Sequence, residues 1–91
     1  MSLLEERPAA NRTKVEILAS ILKVASTQTL KTHIMYRANL SHRQLEKYLS
    51  FLEKNGMLER IIDERGTMLY QITSKGIEFL KDYAKLSGYM A

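Results

Sequence analysis

The sequence has no cysteine, one proline and four glycines among its 91 residues. Without cysteine, disulfides, thiolate zinc sites and a cysteine nucleophile are excluded together, and the chain suits a reducing compartment. The glycines form no glycine-rich loop that could cradle a phosphate. Long apolar runs are also missing: the most hydrophobic stretch, VEILASILKVAS, is broken by Glu16 and Lys23, so neither a secretory core nor a membrane span is expected. The two histidines, His33 and His42, are not spaced as HExxH and lack an obvious third ligand, which argues against a metal site. Ser, His and Asp occur, but nothing in the sequence brings them together. The expectation is a soluble cytoplasmic protein that makes no membrane contact, needs no cofactor and is not an enzyme.

What remains is ordinary for a folded domain: 45% hydrophobic and 26% charged residues, enough for one domain with one modest core. Formal net charge is +4, and it is unevenly placed. Between Gln28 and Ser50, Lys31, Arg37, Arg43 and Lys47 face Glu46 alone, a net +3, with His33 and His42 adding to it as pH falls. From Met57 onward five bases balance five acids. A patch holding most of the excess charge is the footprint expected for a phosphate backbone.

The most strongly marked element is LSHRQLEKYLSFLEKNG, from Leu40 to Gly56. Ser41 and Gln44 form a capping box, Leu40 and Leu45 a hydrophobic staple, and Asn55-Gly56 a left-handed stop. Leu45, Leu49 and Leu52, with Tyr48 beside them, make the buried stripe, which leaves His42, Arg43, Glu46, Lys47 and Ser50 facing outward. Upstream, Thr13 and Glu16 form a second capping box, opening a core helix with Val15, Leu18, Leu22 and Ala25 on one face and Ile17 and Ile21 close by. Leu30 to Ala38 reads as a short second helix with Lys31, Tyr36 and Arg37 more exposed, and Asn39 suits the left-handed turn after it. Two helices joined by so short a turn are a helix-turn-helix.

After Gly56, MLERIID and TMLYQIT read as strands joined at DERG, with Met68, Tyr70 and Ile72 on one face and Arg65-Gly66 at the hairpin tip. Thr73-Ser74 caps a last helix running through Leu86, with Gly88 as its end. The order is three helices, a two-stranded wing and a C-terminal helix: a mainly α, winged helix-turn-helix fold. Residues 1–11 read as a flexible N-terminal arm containing Pro8, 12–74 as the winged domain, and 75–91 as the C-terminal helix. A helical bundle with a misread hairpin is the alternative architecture.

KVEILASIL, KTHIMYRANLS and YQITSKG resemble segments of small archaeal winged-helix DNA-binding proteins, some chromatin-associated and others predicted transcriptional regulators. The resemblance runs from about Lys14 to Leu86, and KT-x-IMY-x-ANLS at Lys31 to Ser41 is its most specific part. It implies that the third helix and the wing contact double-stranded DNA, that the protein is nucleoid-associated, and that it is a homodimer joined through its last helix. Two departures stand out, a shorter last helix and a slightly longer hairpin.

On residue chemistry, Arg43 is the first choice for base reading, because a guanidinium fork to guanine O6 and N7 is the commonest specific contact. Ser41 and His42 accompany it at the helix start, Lys47 suits a phosphate, Lys31, Tyr36 and Arg37 could pin the backbone, and Arg65 could reach a minor groove or phosphate. Glu46 is out of keeping: it could accept from cytosine N4, or mark a surface not selected for DNA. The bland reading is a solvated charged face, and a winged-helix module that docks another protein is the alternative from a different class. The last helix carries two apolar lines, Ile77, Leu80 and Ala84 on one and Phe79, Tyr83 and Leu86 on the other, with Met90 beyond. One line closes a core, so the line with Phe79, Tyr83, Leu86 and Met90 is expected at a two-fold interface unless it covers the first helix.

Overall fold

The structure is a computed structural model that describes residues 12–90, with side chains through Gly88. The N-terminal arm, 1–11, and the side chain of Met90 lie outside the described residues. The elements run α1 (Lys14–Val24), α2 (Lys31–Arg37), α3 (His42–Lys54), β1 (Leu58–Ile62), β2 (Met68–Ile72) and α4 (Ser74–Met90). This is the winged helix-turn-helix order.

Local chemistry starts each of the two longer front helices. Thr13 Oγ1 accepts from Glu16 N at 3.1 Å while Glu16 Oε1 accepts from Thr13 N at 2.8 Å, and Ser41 with Gln44 repeats the arrangement at the start of α3. Each box satisfies amides that the helix itself leaves without partners. The α2–α3 turn is a Schellman motif on Asn39, whose φ is +55°: Leu40 N donates to Met35 O and Asn39 N to Tyr36 O. The same motif ends α3, with Gly56 at φ +71° and Met57 N donating to Leu52 O.

The core draws Ile17, Leu18, Ile21, Leu22 and Ala25 from the first helix, Ile34 and Ala38 from the second, and Leu45, Leu49 and Leu52 from the third. Leu40, Leu58, Tyr70 and Ile72 close it. Val15, expected on this face, is 48% exposed.

β1 and β2 pair antiparallel, with Arg60 opposite Tyr70. At the tip Asp63 Oδ1 accepts from the amides of Arg65 and Thr67, both at 2.9 Å, and Gly66 takes φ +82°. Thr29, in what the sequence offers only as a polar turn, exchanges both backbone hydrogen bonds with Tyr70, at 3.0 and 2.8 Å. Ile72 N donates to Ala25 O as well, so β2 is tied to the helix-turn-helix on its other edge.

Thr73 caps α4: its hydroxyl donates to Gly56 O at 2.6 Å and accepts from Gly76 N at 3.2 Å. The helix does not stop at Gly88 but continues to Met90, because Gly88 lacks the left-handed conformation that Gly56 adopts. α4 packs against α1 and β2.

Candidate nucleic-acid interface

The outward face of α3 carries His42, Arg43, Glu46, Lys47 and Ser50, all exposed. Their exposure follows from the Leu45, Leu49 and Leu52 stripe, which fixes the rotation of the helix against the core. Ser41 sits at the helix start, its hydroxyl oxygen accepting from Gln44 N. Arg65 is exposed at the wing tip, on the rigid turn that Asp63 organises.

The candidate residues of α2 separate into two groups. Lys31 turns toward α3 and forms an ion pair with Glu46, whose carboxylate also lies 3.5 Å from His42 Nε2. Tyr36, 78% exposed, and Arg37 point the other way and line a shallow polar hollow with His33, Thr27, Gln28 and Thr29. Glu46 is therefore the partner of two candidate contact residues, and Lys31 does not present an uncompensated charge.

Three further contacts shape this surface, and none has a local signal in the sequence. Arg12 donates to Ala38 O at 2.6 Å and Asn39 O at 3.2 Å, which clamps the helix-turn-helix turn from α1's side. Arg60 Nε donates to Glu53 Oε1 at 2.6 Å, linking the wing to the end of α3, and its guanidinium lies 5.8 Å from the Tyr70 ring centroid. Phe51 stands 47% exposed and borders an apolar groove with Leu18 and Tyr48, flanked by Lys14 and Lys47. Among the described residues no group of three or more His, Asp or Glu could hold a metal ion, and no helix is long and apolar enough to cross a membrane.

The Glu53 hydrogen bond, then the Tyr70 and Glu53 charges, hold the Arg60 pKa above its ordinary value. Burial pushes the Tyr70 phenol up, with Arg60 pulling it the other way. A folded pKa above the unfolded value favours the protonated phenol. Tyr70 therefore contributes stability that is complete below about pH 10, the ordinary tyrosine value, and is lost as pH rises through the folded one. The melting temperature of Tyr70→Phe is expected to fall less than that of the wild type between pH 9 and 11. Parallel decline of the two would show that Tyr70 ionises as freely folded as unfolded.

On α4 the two apolar lines divide differently from the simplest expectation. Phe79 and Leu80 are half-buried against the core, and Tyr83, also half-buried, has Lys23 of α1 5.7 Å from its ring centroid. Ile77 and Leu86 are 45% and 60% exposed. Within one chain, Phe79 thus packs on the core and Tyr83 meets α1, while the open apolar residues Ile77 and Leu86, nine positions apart, stand on opposite sides of the helix.

Known proteins share this architecture. The crystal structure of Sso10a-2, a DNA-binding protein from Sulfolobus solfataricus, superposes with a TM-score of 0.72 at 26% identity, covering 87% of this chain and 85% of that one. MepR, a transcription regulator of the Staphylococcus aureus multidrug efflux pump MepA, gives 0.72 at 16% identity over 96% of this chain and 64% of its own, a likeness of fold alone. In sequence, the uncharacterized protein MJ0287 of Methanocaldococcus jannaschii is 38% identical over 50 residues, 54% of this chain. The chain spans about half the length of that relative, 52%. A family model described as winged helix-turn-helix matches residues 11–90, which takes in all of the described residues. With helix order, Schellman turn and wing all in place, the chain belongs to the winged helix-turn-helix family.

Proposed function

We propose that this protein binds double-stranded DNA, as a transcriptional regulator or a chromatin-type protein, with α3 in the major groove and the wing on adjacent backbone. The observation that carries the reading is the outward face of α3, where Arg43 and Lys47 stand exposed on a helix fixed at both ends by capping. Rigid presentation matters, because a cation already held in place loses less freedom on contact. The likeness to Sso10a-2, described as a DNA-binding protein, supports the same reading. Arg37 and Tyr36 would serve the backbone from α2, and Arg65 from the wing.

Lys47→Ala is expected to weaken every duplex alike, as loss of a phosphate contact does, whereas Lys81→Ala on α4 should change little. Arg65→Ala should reduce affinity and flatten the salt dependence by about one ion while leaving stability unchanged. Equilibrium titrations of the three variants against wild type on one duplex decide both points. Equal losses from Lys47→Ala and Lys81→Ala would remove α3 from the interface.

The functional unit in this reading is a homodimer, paired through α4. Its 17 residues span roughly 25 Å, enough for a short antiparallel contact. Leu86 supplies the apolar centre, and the half-buried Phe79 and Tyr83 share its line of the helix. Sedimentation should find a wild-type dimer and a folded Leu86→Glu monomer whose DNA affinity drops because its recognition helices are no longer tethered. A monomeric wild type would rule the pairing out.

A further inference from the structure

Glu46 is a carboxylate in the middle of the cationic face of α3, held by Lys31 and lying 3.5 Å from His42 Nε2. An exposed ion pair contributes little to stability, so fold maintenance is a weak reason for an acid at this position. Facing phosphates, it would repel them, and it cancels the charge that Lys31 would otherwise offer. In the major groove, however, a carboxylate has a good partner, since base amino groups donate there.

Resting on the DNA reading above, we infer that Glu46 is a specificity-determining residue, which accepts from cytosine N4 beside a guanine read by Arg43. The two residues are three apart on one helix face, so their Cβ atoms lie about 5–6 Å from each other. That separation fits neighbouring base steps, spaced about 3.4 Å along the strand. Cytosine is favoured over adenine for a chemical reason. Adenine places the N7 acceptor next to its amino group, where it opposes the second carboxylate oxygen, whereas cytosine presents only the N4 donor. Lys31 acts as a positioning residue: its ammonium holds the carboxylate against α2 and keeps it from rotating freely. The cost of placing an anion near the backbone then falls on every sequence, and only duplexes with a correctly placed cytosine recover it. Weak non-specific binding and discrimination at one base pair arise from the same side chain.

Glu46→Gln tests this sharply, because an amide matches adenine N6 and N7 as a donor–acceptor pair. Duplexes retained from a random-sequence library would be sequenced for wild type, Glu46→Gln and Arg43→Ala, with melting curves to establish that each is folded. Wild type should enrich cytosine at one position next to a guanine, by about fivefold or more. The guanine preference should vanish in Arg43→Ala. Glu46→Gln should move the neighbouring preference from cytosine to adenine, bind non-specific duplex several-fold more tightly, and steepen the salt dependence by about one ion as Lys31 is released. Identical base preferences and salt slopes for wild type and Glu46→Gln would overturn the inference, as would a wild type that binds DNA with no cytosine preference. Failure of the wild type to retain any duplex at low salt would instead overturn the DNA reading, and this inference with it.

Discussion

Gly76→Ala is expected to destabilise the protein by about 1–3 kcal/mol, the usual cost of forcing extra volume into a packed site, although alanine is the better helix former. A Cβ built at Gly76 would stand 2.4 Å from Met57 O and 2.6 Å from Ile72 Cγ1. The first of these is backbone and cannot rotate away. Met57 O also accepts from Thr73 N at 3.0 Å, and Thr73 caps α4, so the added methyl presses on the joint where α3, the wing and the last helix meet. Relief would require α4 to lift from β2. Gly88 provides the control on the same helix: a Cβ there meets nothing within 4 Å, and Gly88→Ala should be neutral or slightly stabilising. For a domain of this size each kcal/mol moves the melting temperature by roughly 4–8 °C, so thermal melts resolve the contrast easily. Equal melting temperatures for the two variants would mean that the close approach at Gly76 is not present in solution.

Arg43→Ala is the substitution expected to weaken DNA binding most, by about 1–3 kcal/mol on a preferred duplex, with preference relaxed at one base. Its side chain is exposed and contributes nothing to the core, so the melting temperature should be unchanged. The specific-to-nonspecific affinity ratio is the informative quantity. A drop confined to the preferred duplex identifies a base contact, and a uniform drop identifies a phosphate contact. If neither duplex is affected, α3 does not face DNA.

Most of the fold was legible in the sequence because most of it is set by short-range chemistry. The capping boxes at Thr13 and Ser41, the Leu45-Leu49-Leu52 stripe, the left-handed Asn39 and Gly56, and the Arg65-Gly66 tip all involve residues a few positions apart. The outward face of α3 follows from the same periodicity, which is why the exposure of Arg43 and Lys47 could be anticipated. Long-range pairings could not. Lys31 meets Glu46 and Arg12 reaches Ala38 only because two helices approach at a particular angle, and no spacing rule connects Thr29 with Tyr70. Glu46 illustrates the consequence: in sequence it is an anomaly among bases, and in the fold it pairs with Lys31 and lies beside His42. On α4 the apolar residues are visible in sequence, but which line meets α1 depends on the rotation of the helix, and that is fixed by Gly76 against Met57 and Ile72.

The most direct test of the central claim is a titration of the wild-type protein on random-sequence duplex at two salt concentrations. If α3, the wing and α2 together neutralise about three phosphates, log K should fall with log salt at a slope of about −2.7, an affinity loss of about 40-fold for a fourfold rise in salt. Absence of binding at low salt, or an affinity that barely responds to salt, would contradict the phosphate-directed interface and point instead to a winged-helix surface that docks another protein.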